Sequence, residues 1–202
     1  MKASKFTRKK SVQFVTASGK ESEPFYFTEH DSRESSTTWQ VERADFDQML
    51  FDRASELGAD CFDQTRVLDV LLDDDGAARG VKLRTVDGQT REISAKVVMD
   101  GSGQSSLIAN KLGLREDIPD LRKAAIWGYH KNAMRDEGDN AGATIVMHTN
   151  QKDSWFWFIP LSNEVTSIGC VGDSDYLLKT GLDSEARYQL ELDRCPGLQR
   201  RL

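Results

Sequence analysis

Cysteine is scarce in this 202-residue chain, and its few cysteines exclude two common ways of stabilising a small fold. Their number is odd, no C-x-x-C pair is present, and they lie far apart at Cys61, Cys170 and Cys195. Neither a disulfide framework nor a zinc site is therefore predicted, and a reducing, cytoplasmic setting is expected. The three histidines also lack metal-ligand spacing, so we predict no metal site.

Long apolar runs are missing as well. The longest uninterrupted run, residues 155–161, has seven residues, whereas a membrane-spanning helix needs about 20. No apolar signal core follows the charged amino terminus. The sequence therefore predicts a soluble protein without a transmembrane span.

The chain also lacks an excess of basic residues. It has 27 Lys and Arg against 33 Asp and Glu, a formal net charge of −6, and five of the bases lie within the first ten residues. Phosphate binding needs a positive surface along the whole nucleic-acid footprint. An acidic body therefore argues against nucleic acid as the main partner.

The chain does contain a hydrophobic period that changes along its length. A weak alternation in the first forty residues predicts two strands with a turn near Gly19, and residues 43–57 predict a helix that ends at Gly58. The later predicted elements are strands at 67–72, 80–86 and 92–99, a short helix to residue 112, strands at 124–131, 143–149, 154–159 and 164–171, and a helix at 184–194. Together they predict an α/β (α+β) fold that contains a β-meander and an antiparallel sheet.

A glycine-rich turn, residues 100–103, separates the third meander strand from the short helix. The strand ends in an apolar run at 97–99 that predicts burial. Unpaired backbone N–H groups at such a turn attract anions, so it is a candidate phosphate cradle. The third glycine of the dinucleotide fingerprint is absent, and a plain tight turn is the simpler interpretation. No serine nucleophile is predicted, because G-x-S-x-G does not occur.

The segment 155–160, Trp-Phe-Trp-Phe-Ile-Pro, is unusually aromatic. In a strand, Trp155, Trp157 and Ile159 share one face, and Phe156 and Phe158 take the other. Such rings either line a cavity beside a planar substrate or fill a central strand buried on both sides. Periodicity alone favours the buried strand.

Two basic residues are candidates because of their positions. Arg43 starts the predicted helix, where an arginine can reach a pyrophosphate through two hydrogen bonds. Lys9 precedes an apolar alternation, and a lysine that enters a dry cavity becomes a reactive amine with a lowered pKa. The simpler interpretation of each is a solvated surface residue.

Taken together, four segments resemble the FAD-dependent oxidoreductases of the aromatic-hydroxylase fold, and among them the flavin-dependent halogenases. Residues 40–50 with 58–59 are similar to the family's V-x-R-x-x-F-D-x-x-L helix ending in G-A, and residues 97–106 to its strand and D-x-S-G-x-x-S turn. Residues 155–160 have every fixed position of W-x-W-x-I-P, which separates halogenases from hydroxylases. Residues 6–14 are similar to G-F-x-x-K-x-G-x-x-F, with Lys5 and Ser11 replacing its glycines.

The resemblance implies a parent enzyme that uses reduced FAD and oxygen to turn chloride or bromide into hypohalous acid, which travels through a tunnel to the substrate. Lys9 would hold or carry the halogen, while Trp155 and Trp157 would line the passage and keep the organic substrate away from the flavin. The substrate channel would also be lined by Phe158, Ile159 and Pro160. FAD would be contacted by Arg43, the backbone of Val67, and the turn residues Asp100, Gly101, Ser102 and Gly103.

The resemblance covers nearly the whole chain but only the middle of such an enzyme, because the G-x-G-x-x-G turn and a later Gly-Asp motif are absent. It implies the start of a substrate-domain sheet with the lysine segment at 1–37 and a partial Rossmann-type FAD-binding domain at 38–113. Residues 114–202 would form an antiparallel substrate-binding domain, incomplete at its carboxyl end.

The implied partners are a small aromatic or lipid-like substrate and a separate flavin reductase, since no nicotinamide fingerprint is visible. Two other interpretations stay open. One is an FAD-dependent monooxygenase or geranylgeranyl-reductase-like enzyme on the same fold. The other is a truncated, inactive fragment that does not bind FAD, is colourless when purified, and dimerises or aggregates through exposed sheet edges.

Overall fold

The computed structural model describes residues 1–179 and 181–202, which divide into two compact units. Met1–Met49 and Asp120–Leu202 form one, which we call the sheet unit. Leu50–Pro119 form the other, which we call the meander unit. Within the described part of the chain, no helix combines the length and apolar character that a membrane crossing requires.

Strands and helices alternate in blocks along the described residues. In chain order the strands are β1 (Thr7–Lys9), β2 (Ser11–Val15), β3 (Phe25–Tyr26), β4 (Thr38–Gln40), β5 (Arg66–Leu72), β6 (Ala78–Arg84), β7 (Thr90–Ser94), β8 (Lys123–Lys131), β9 (Thr144–His148), β10 (Ser154–Pro160) and β11 (Val165–Asp173). The α-helices are α1 (Arg43–Glu56), α2 (Leu107–Lys111), α3 (Ser174–Leu178), α4 (Ser184–Asp193) and α5 (Pro196–Gln199). This content confirms the predicted α/β (α+β) class.

Six strands of the sheet unit form one mixed sheet in the order β3-β2-β9-β10-β11-β8. The four strands predicted between residues 124 and 171 pair antiparallel with one another in this sheet. The predicted amino-terminal hairpin extends the same sheet, because β2 pairs with β9 in parallel and β3 pairs antiparallel with β2. Local alternation could not reveal the parallel pairing, since the two strands are far apart in the chain.

The core of the sheet unit lies on one face of this sheet, under three short helices that follow β11. Every second residue of β10 points to this face, as expected for a strand. The buried apolar side chains of the core come from the sheet and from α3, α4 and α5, and include Val15, Ile145, Met147, Phe156, Phe158, Ile168, Leu177, Leu192 and Leu198.

A carboxylate is buried beside this core. Glu191 of α4 has no exposed surface, and its oxygens accept hydrogen bonds from Ser154 Oγ at 2.5 Å and Tyr176 Oη at 2.8 Å. The guanidinium groups of Arg187 and Arg194 each lie 3.2 Å from Glu191 Oε1. A buried charge is tolerated when it is both paired and hydrogen-bonded, and Glu191 satisfies both conditions.

The meander unit is built on the three-stranded antiparallel sheet β5-β6-β7. Gly76 and Gly88 have φ of 80° and 79° and form its two turns, where a side chain would be strained. Helix α2 is attached to the sheet by Lys111, whose Nζ donates to Asp69 Oδ1 at 2.7 Å and to the carbonyl of Val70 at 2.8 Å. The predicted meander is thus present.

The third meander strand is shorter than predicted. β7 ends at Ser94, and residues 95–102 are neither helix nor strand. Val97 and Met99, predicted to be buried, are 74% and 90% exposed. An apolar run becomes a strand where a neighbour accepts its backbone hydrogen bonds, and among the described residues no strand pairs with 97–99. The predictions of strand and burial for this run are therefore wrong.

Helix α1 begins at Arg43 and ends two residues before Gly58, close to the predicted bounds. Gly58 has φ of 92°, and its N–H donates to the carbonyl of Ser55 at 2.9 Å. The N–H of Ala59 donates to the carbonyl of Ala54 at 3.0 Å. This pair of bonds is the Schellman motif, which explains why Gly58 ends the helix.

Four short elements, β1, β4, α3 and α5, were not predicted. β1 and β4 pair antiparallel in a separate ribbon, and α3 and α5 flank α4. Gln40 of β4 attaches the ribbon to the main sheet, because its Nε2 donates to the carbonyl of Gly142 at 3.1 Å and to Thr144 Oγ1 at 2.8 Å. These four elements are only three to five residues long, so they carry little periodic signal.

Candidate functional site

Trp155, Trp157 and Ile159 occupy the face of β10 that points away from the core. Burial alternates along this strand: Phe156 and Phe158 have no exposed surface, whereas the two tryptophans are half-buried. The two faces of β10 are therefore buried to different degrees. One face of β10 fills the core, and its indoles remain accessible on the other.

The tryptophan face continues across two neighbouring strands. The register places Gly169 of β11 opposite Trp157, and Trp127 of β8 opposite Gly169. Residues directly opposite in a sheet share a face, so Trp127 and Tyr129 point to the same side as the indoles of β10. The rings of Trp127 and Tyr129 meet edge to face at 5.3 Å, and both are more than half exposed. We call Trp127, Tyr129, Trp155 and Trp157 the aromatic face.

Lys9 ends strand β1, opposite Thr38 of β4. Its Nζ lies 5.8 Å from the ring centroid of Phe27 and forms no ion pair within the described part of the chain. Burial lowers the pKa of Lys9 from its ordinary value of 10.5. The adjacent Lys10 differs, because its Nζ lies 2.5 Å from Asp139 Oδ1. The two neighbouring lysines thus have different environments: Lys10 has a carboxylate partner, and Lys9 is half-buried beside an aromatic ring.

Ser162 forms hydrogen bonds that connect the segments carrying Lys9, Arg43 and the tryptophan motif. It follows the motif by two residues, and its Oγ donates to the carbonyl of Lys5 at 3.0 Å. Its backbone N–H donates to Oε1 of Glu42, the residue before Arg43, at 3.1 Å. These bonds fix the end of β10 to the start of the lysine segment and to the start of α1.

The guanidinium of Arg43 is exposed and engaged within its own helix. Its Nε lies 3.0 Å from Asp47 Oδ1, and its Nη2 lies 2.9 Å from Asp47 Oδ2. The pair is a two-point arrangement at i,i+4 spacing. A phosphate bound by Arg43 would have to replace this carboxylate, which matches it in charge sign and geometry.

The turn at residues 100–103 is held by its own side chains. Asp100 Oδ1 accepts the N–H of Ser102 at 2.9 Å, Asp100 Oδ2 accepts that of Ile108 at 2.8 Å, and Ser102 Oγ accepts that of Leu107 at 3.2 Å. Hydrogen bonds from the Ser102 side chain and from the backbone of Ile108 and Ser102 lower the pKa of Asp100. The expectation of unpaired N–H groups for an anion is therefore wrong for these three amides, and the tight-turn interpretation describes them.

A cavity of about 370 Å³ lies beside this turn within the meander unit. Four of the predicted FAD residues border it, namely Val67, Asp100, Gly101 and Ser102. The rest of its lining is mostly apolar and includes Val70, Val81, Leu107 and Ile108. Gly103 borders a neighbouring depression instead. No atom lies within 4 Å of the position that a Cβ of Gly101 would take, so the turn is open there.

The predicted site residues fall into two groups. Lys9, Arg43 and the tryptophans belong to the sheet unit, whereas Val67 and the glycine turn belong to the meander unit. Within β10, Ile159 shares the face of the tryptophans, but Phe158 and Pro160 are buried on the core face. The structure therefore does not bring Phe158 and Pro160 together with the other proposed channel residues.

Sequence reasoning missed Ser162, Ser167 and Gly169. Trp157 Nε1 donates to Ser167 Oγ at 3.2 Å, and Gly169 lies beneath the same indole. A glycine inside an apolar strand signals a bulge or the close approach of another group, and residue 169 could have been noticed for that reason. Nothing in the local sequence marks the two serines.

The chain resembles a family sequence model, individual proteins of related sequence, and solved structures. The sequence model of the tryptophan halogenase family matches residues 2–197. The flavin-dependent halogenase armH4 of Armillaria mellea is 32% identical over 152 residues, which cover 71% of this chain and 28% of that protein. The flavin-dependent halogenase otaD of Aspergillus carbonarius is 30% identical over 213 residues, covering 98% of this chain and 42% of that protein. The chain thus spans less than half the length of these relatives.

Solved structures agree with the sequence relatives. The myxobacterial chondrochloren halogenase CndH superposes with a TM-score of 0.88 at 32% identity, covering all of this chain and 46% of that one. The flavin-dependent halogenase CmlS gives 0.85 at 27% identity, with 36% of its own length covered. These relatives do not favour the hydroxylase or reductase alternatives. Because the family model spans nearly the whole sequence, the chain belongs to the tryptophan halogenase family, as its motifs predicted.

Proposed function

We propose that this chain is the part of an FAD-dependent halogenase that carries the halogen-handling amine and the aromatic passage. The observation that carries the proposal is the placement of the W-x-W-x-I-P tryptophans. Their indoles lie outside the core, in the same compact unit as a half-buried lysine that has no ion-pair partner among the described residues. Family membership supplies the reaction class.

The proposed reaction converts a halide, oxygen and an electron-rich carbon into a carbon–halogen bond. Bound FAD, when reduced, would supply two of the four electrons that oxygen takes up, and the halide supplies the other two. One oxygen atom leaves as water, and the other joins the halide as hypohalous acid. The halide is the group oxidised by two electrons, and the substrate carbon later accepts the halogen in exchange for its proton.

Lys9 carries the halogen in this proposal. Its neutral amine attacks the halogen of hypohalous acid, so that an N–halogen bond forms and the O–halogen bond breaks. The departing oxygen takes the amine proton and leaves as water. The substrate carbon then takes the halogen, and its proton returns to the nitrogen. The lowered pKa of Lys9 supports this role, because burial raises the fraction of neutral amine at a given pH.

Trp155 and Trp157 line the passage and exclude the organic substrate from the flavin. The geometry of β10 supports this role, because both indoles lie on the face of the strand that points away from the core. They present flat apolar surfaces there, and a small oxidant can pass such surfaces without forming strong hydrogen bonds. Ile159 extends this surface on the same face of β10. Phe158 and Pro160 contribute indirectly, by fixing the strand to the core.

The cavity at the glycine turn fits part of FAD. Its apolar lining and the open backbone at Gly101 suit an uncharged portion of the cofactor, with Val67 and Ser102 on its border. The Asp100 carboxylate would repel phosphate there. Arg43 would reach the pyrophosphate by releasing Asp47. In this proposal the three parts expected from sequence keep their roles: 1–37 and 114–202 belong to the substrate-binding sheet, and 38–113 to the FAD-binding part.

The substrate belongs to the aromatic or lipid-like small molecules, and reduced flavin would come from a separate reductase in a cytoplasmic setting. One relative is a 1H-pyrrole-2-carbonyl-[peptidyl-carrier protein] chlorinase of Pseudomonas fluorescens, 32% identical over 139 residues. By its name, that enzyme acts on a pyrrole ring, an electron-rich aromatic group, held on a peptidyl carrier protein. This supports an aromatic substrate for the present chain as well.

Replacing Lys9 with Ala tests the proposal. In the flavin-loaded enzyme, supplied with a flavin reductase, oxygen and bromide, K9A should lower brominated product by about 100-fold or more while oxygen consumption continues. Lys10→Ala is the matched control, since the ion pair of Lys10 with Asp139 leaves it outside the mechanism. Undiminished bromination by K9A would remove Lys9 from the reaction.

A further inference from the structure

The indole of Trp157 lies across the neighbouring strand β11, directly over Gly169. A Cβ built on Gly169 would lie 2.1 Å from Cζ2 of Trp157 and 2.5 Å from its Cε2 and Cη2. Real Cβ atoms essentially never approach another heavy atom within 3.0 Å. Even an alanine at position 169 would therefore have to displace the benzo ring of the indole.

Backbone conformation does not explain this glycine. Gly169 lies within β11, with ordinary pairing to Trp157 and Trp127, and its φ is not in the left-handed region. A glycine inside a strand weakens the strand, because it offers no side chain to pack. The feature that requires glycine here is the ring above it.

A second contact fixes the same ring. Trp157 Nε1 donates to Ser167 Oγ at 3.2 Å, and Ser167 is two residues before Gly169 on the same face of β11. The hydrogen bond sets the rotation of the indole about its side-chain bonds. The absence of a side chain at Gly169 allows the indole ring to lie flat on β11. Two residues of the neighbouring strand thus specify one ring orientation.

We infer that Gly169 and Ser167 are positioning residues for Trp157, holding its indole flat so that the space above β10 and β11 stays open as the halogen passage. This inference rests on the proposed function. A side chain at position 169 would tilt the indole upward into that space. The passage would narrow, while Lys9 and the cavity of the meander unit would be unchanged.

The ring orientation can be tested on the 202-residue chain alone. Gly169→Ala should shift tryptophan emission to longer wavelength and increase acrylamide quenching, because the tilted indole loses contact with β11. Both changes should disappear in a Trp157→Phe background. Gly128→Ala is the matched control, since a Cβ there would meet His130 Nε2 at an ordinary 3.8 Å. An emission spectrum unaltered by G169A, or altered equally in the Trp157→Phe background, would overturn the inference.

The functional part is tested in the flavin-loaded enzyme. G169A should lower halogenated product per reduced flavin consumed, and Ser167→Ala should lower it less, because it removes the hydrogen bond without filling the space. Should G169A fail to fold, S167A and the double variant Trp157→Phe with Gly169→Ala provide the same comparison. Unchanged product in S167A and G169A would overturn the positioning role. K9A would still report separately on the proposed function.

Discussion

The sheet unit and the meander unit both rest on antiparallel strands, but they bury apolar side chains very differently. The contiguous core of the described residues, from Val15 to Leu198, lies wholly in the sheet unit. In the meander unit the buried apolar side chains are those of Val70 and Leu83, and β7 is exposed along its whole length. One unit carries its own core, whereas the other offers apolar surface and a cavity.

This contrast separates the two groups of proposed site residues by rigidity. The aromatic face is built on strands backed by a packed core, which holds side chains in fixed rotamers. The cavity at Asp100 lies on a sheet with little packing behind it, and local stability follows buried contacts. In the proposed function, the step that depends on ring orientation would lie on the stiffer unit, and the cavity proposed for part of FAD on the softer one.

The largest expected difference between the two units is in the protection of backbone amides from hydrogen exchange. Amides of β10 and β11 should exchange with solvent only through global unfolding, because both strands are paired on each side over the core. Amides of β7, an exposed edge strand, should exchange by local fraying. Hydrogen exchange followed by NMR or mass spectrometry measures both. Equal protection in the two sheets would contradict the contrast.

The next effect concerns the core of the sheet unit. Phe156→Ala should lower the free energy of unfolding by about 3–5 kcal/mol, because it removes a fully buried ring and leaves a cavity. Phe14→Ala is the control on the opposite face, where the ring is 52% exposed, and should cost much less. Urea denaturation followed by near-UV circular dichroism measures both. Similar losses would mean that the two faces are packed alike.

A smaller loss is expected from the buried carboxylate. Glu191→Gln keeps the shape of the side chain but removes its charge, so the charge-assisted hydrogen bond from Arg194, worth about 1.5–3 kcal/mol, is weakened and the ion pair with Arg187 is lost. Glu185→Gln, on the exposed start of the same helix, is the control. Denaturation at neutral pH compares the two. An unchanged free energy of unfolding in E191Q would show that the charge of Glu191 does not stabilise the fold.

The smallest effect is local and lies in the meander unit. Because hydrogen bonds lower the pKa of Asp100 in the fold, its stabilisation of α2 is present above the ordinary value of 3.8 and is lost as pH falls through the lowered value. Asp100→Asn should remove this pH dependence. Amide resonances of residues 107–111, followed from pH 6 to pH 2, report it. If D100N gave the same pH profile as the unsubstituted protein, the pH-dependent stabilisation of α2 would come from another group.

Much of the fold was predictable because it depends on local patterns. The period of residues 43–57 and Gly58 gave α1 nearly to the residue, and the four late strands followed from alternation. The apolar run 97–99 failed, because burial of a strand is decided by neighbours distant in sequence. The parallel pairing of β2 with β9 was not predicted, for the same reason.

By itself, the sequence determined the family, because W-x-W-x-I-P and the glycine turn can be identified from residue types and their spacing. It also placed the tryptophans and Phe156 on opposite faces, because strand geometry has a period of two. Tertiary structure decided which face is open, that Lys9 rather than Lys10 lacks a carboxylate partner among the described residues, and that Gly169 lies under Trp157. These features depend on contacts between distant segments, which no local pattern encodes.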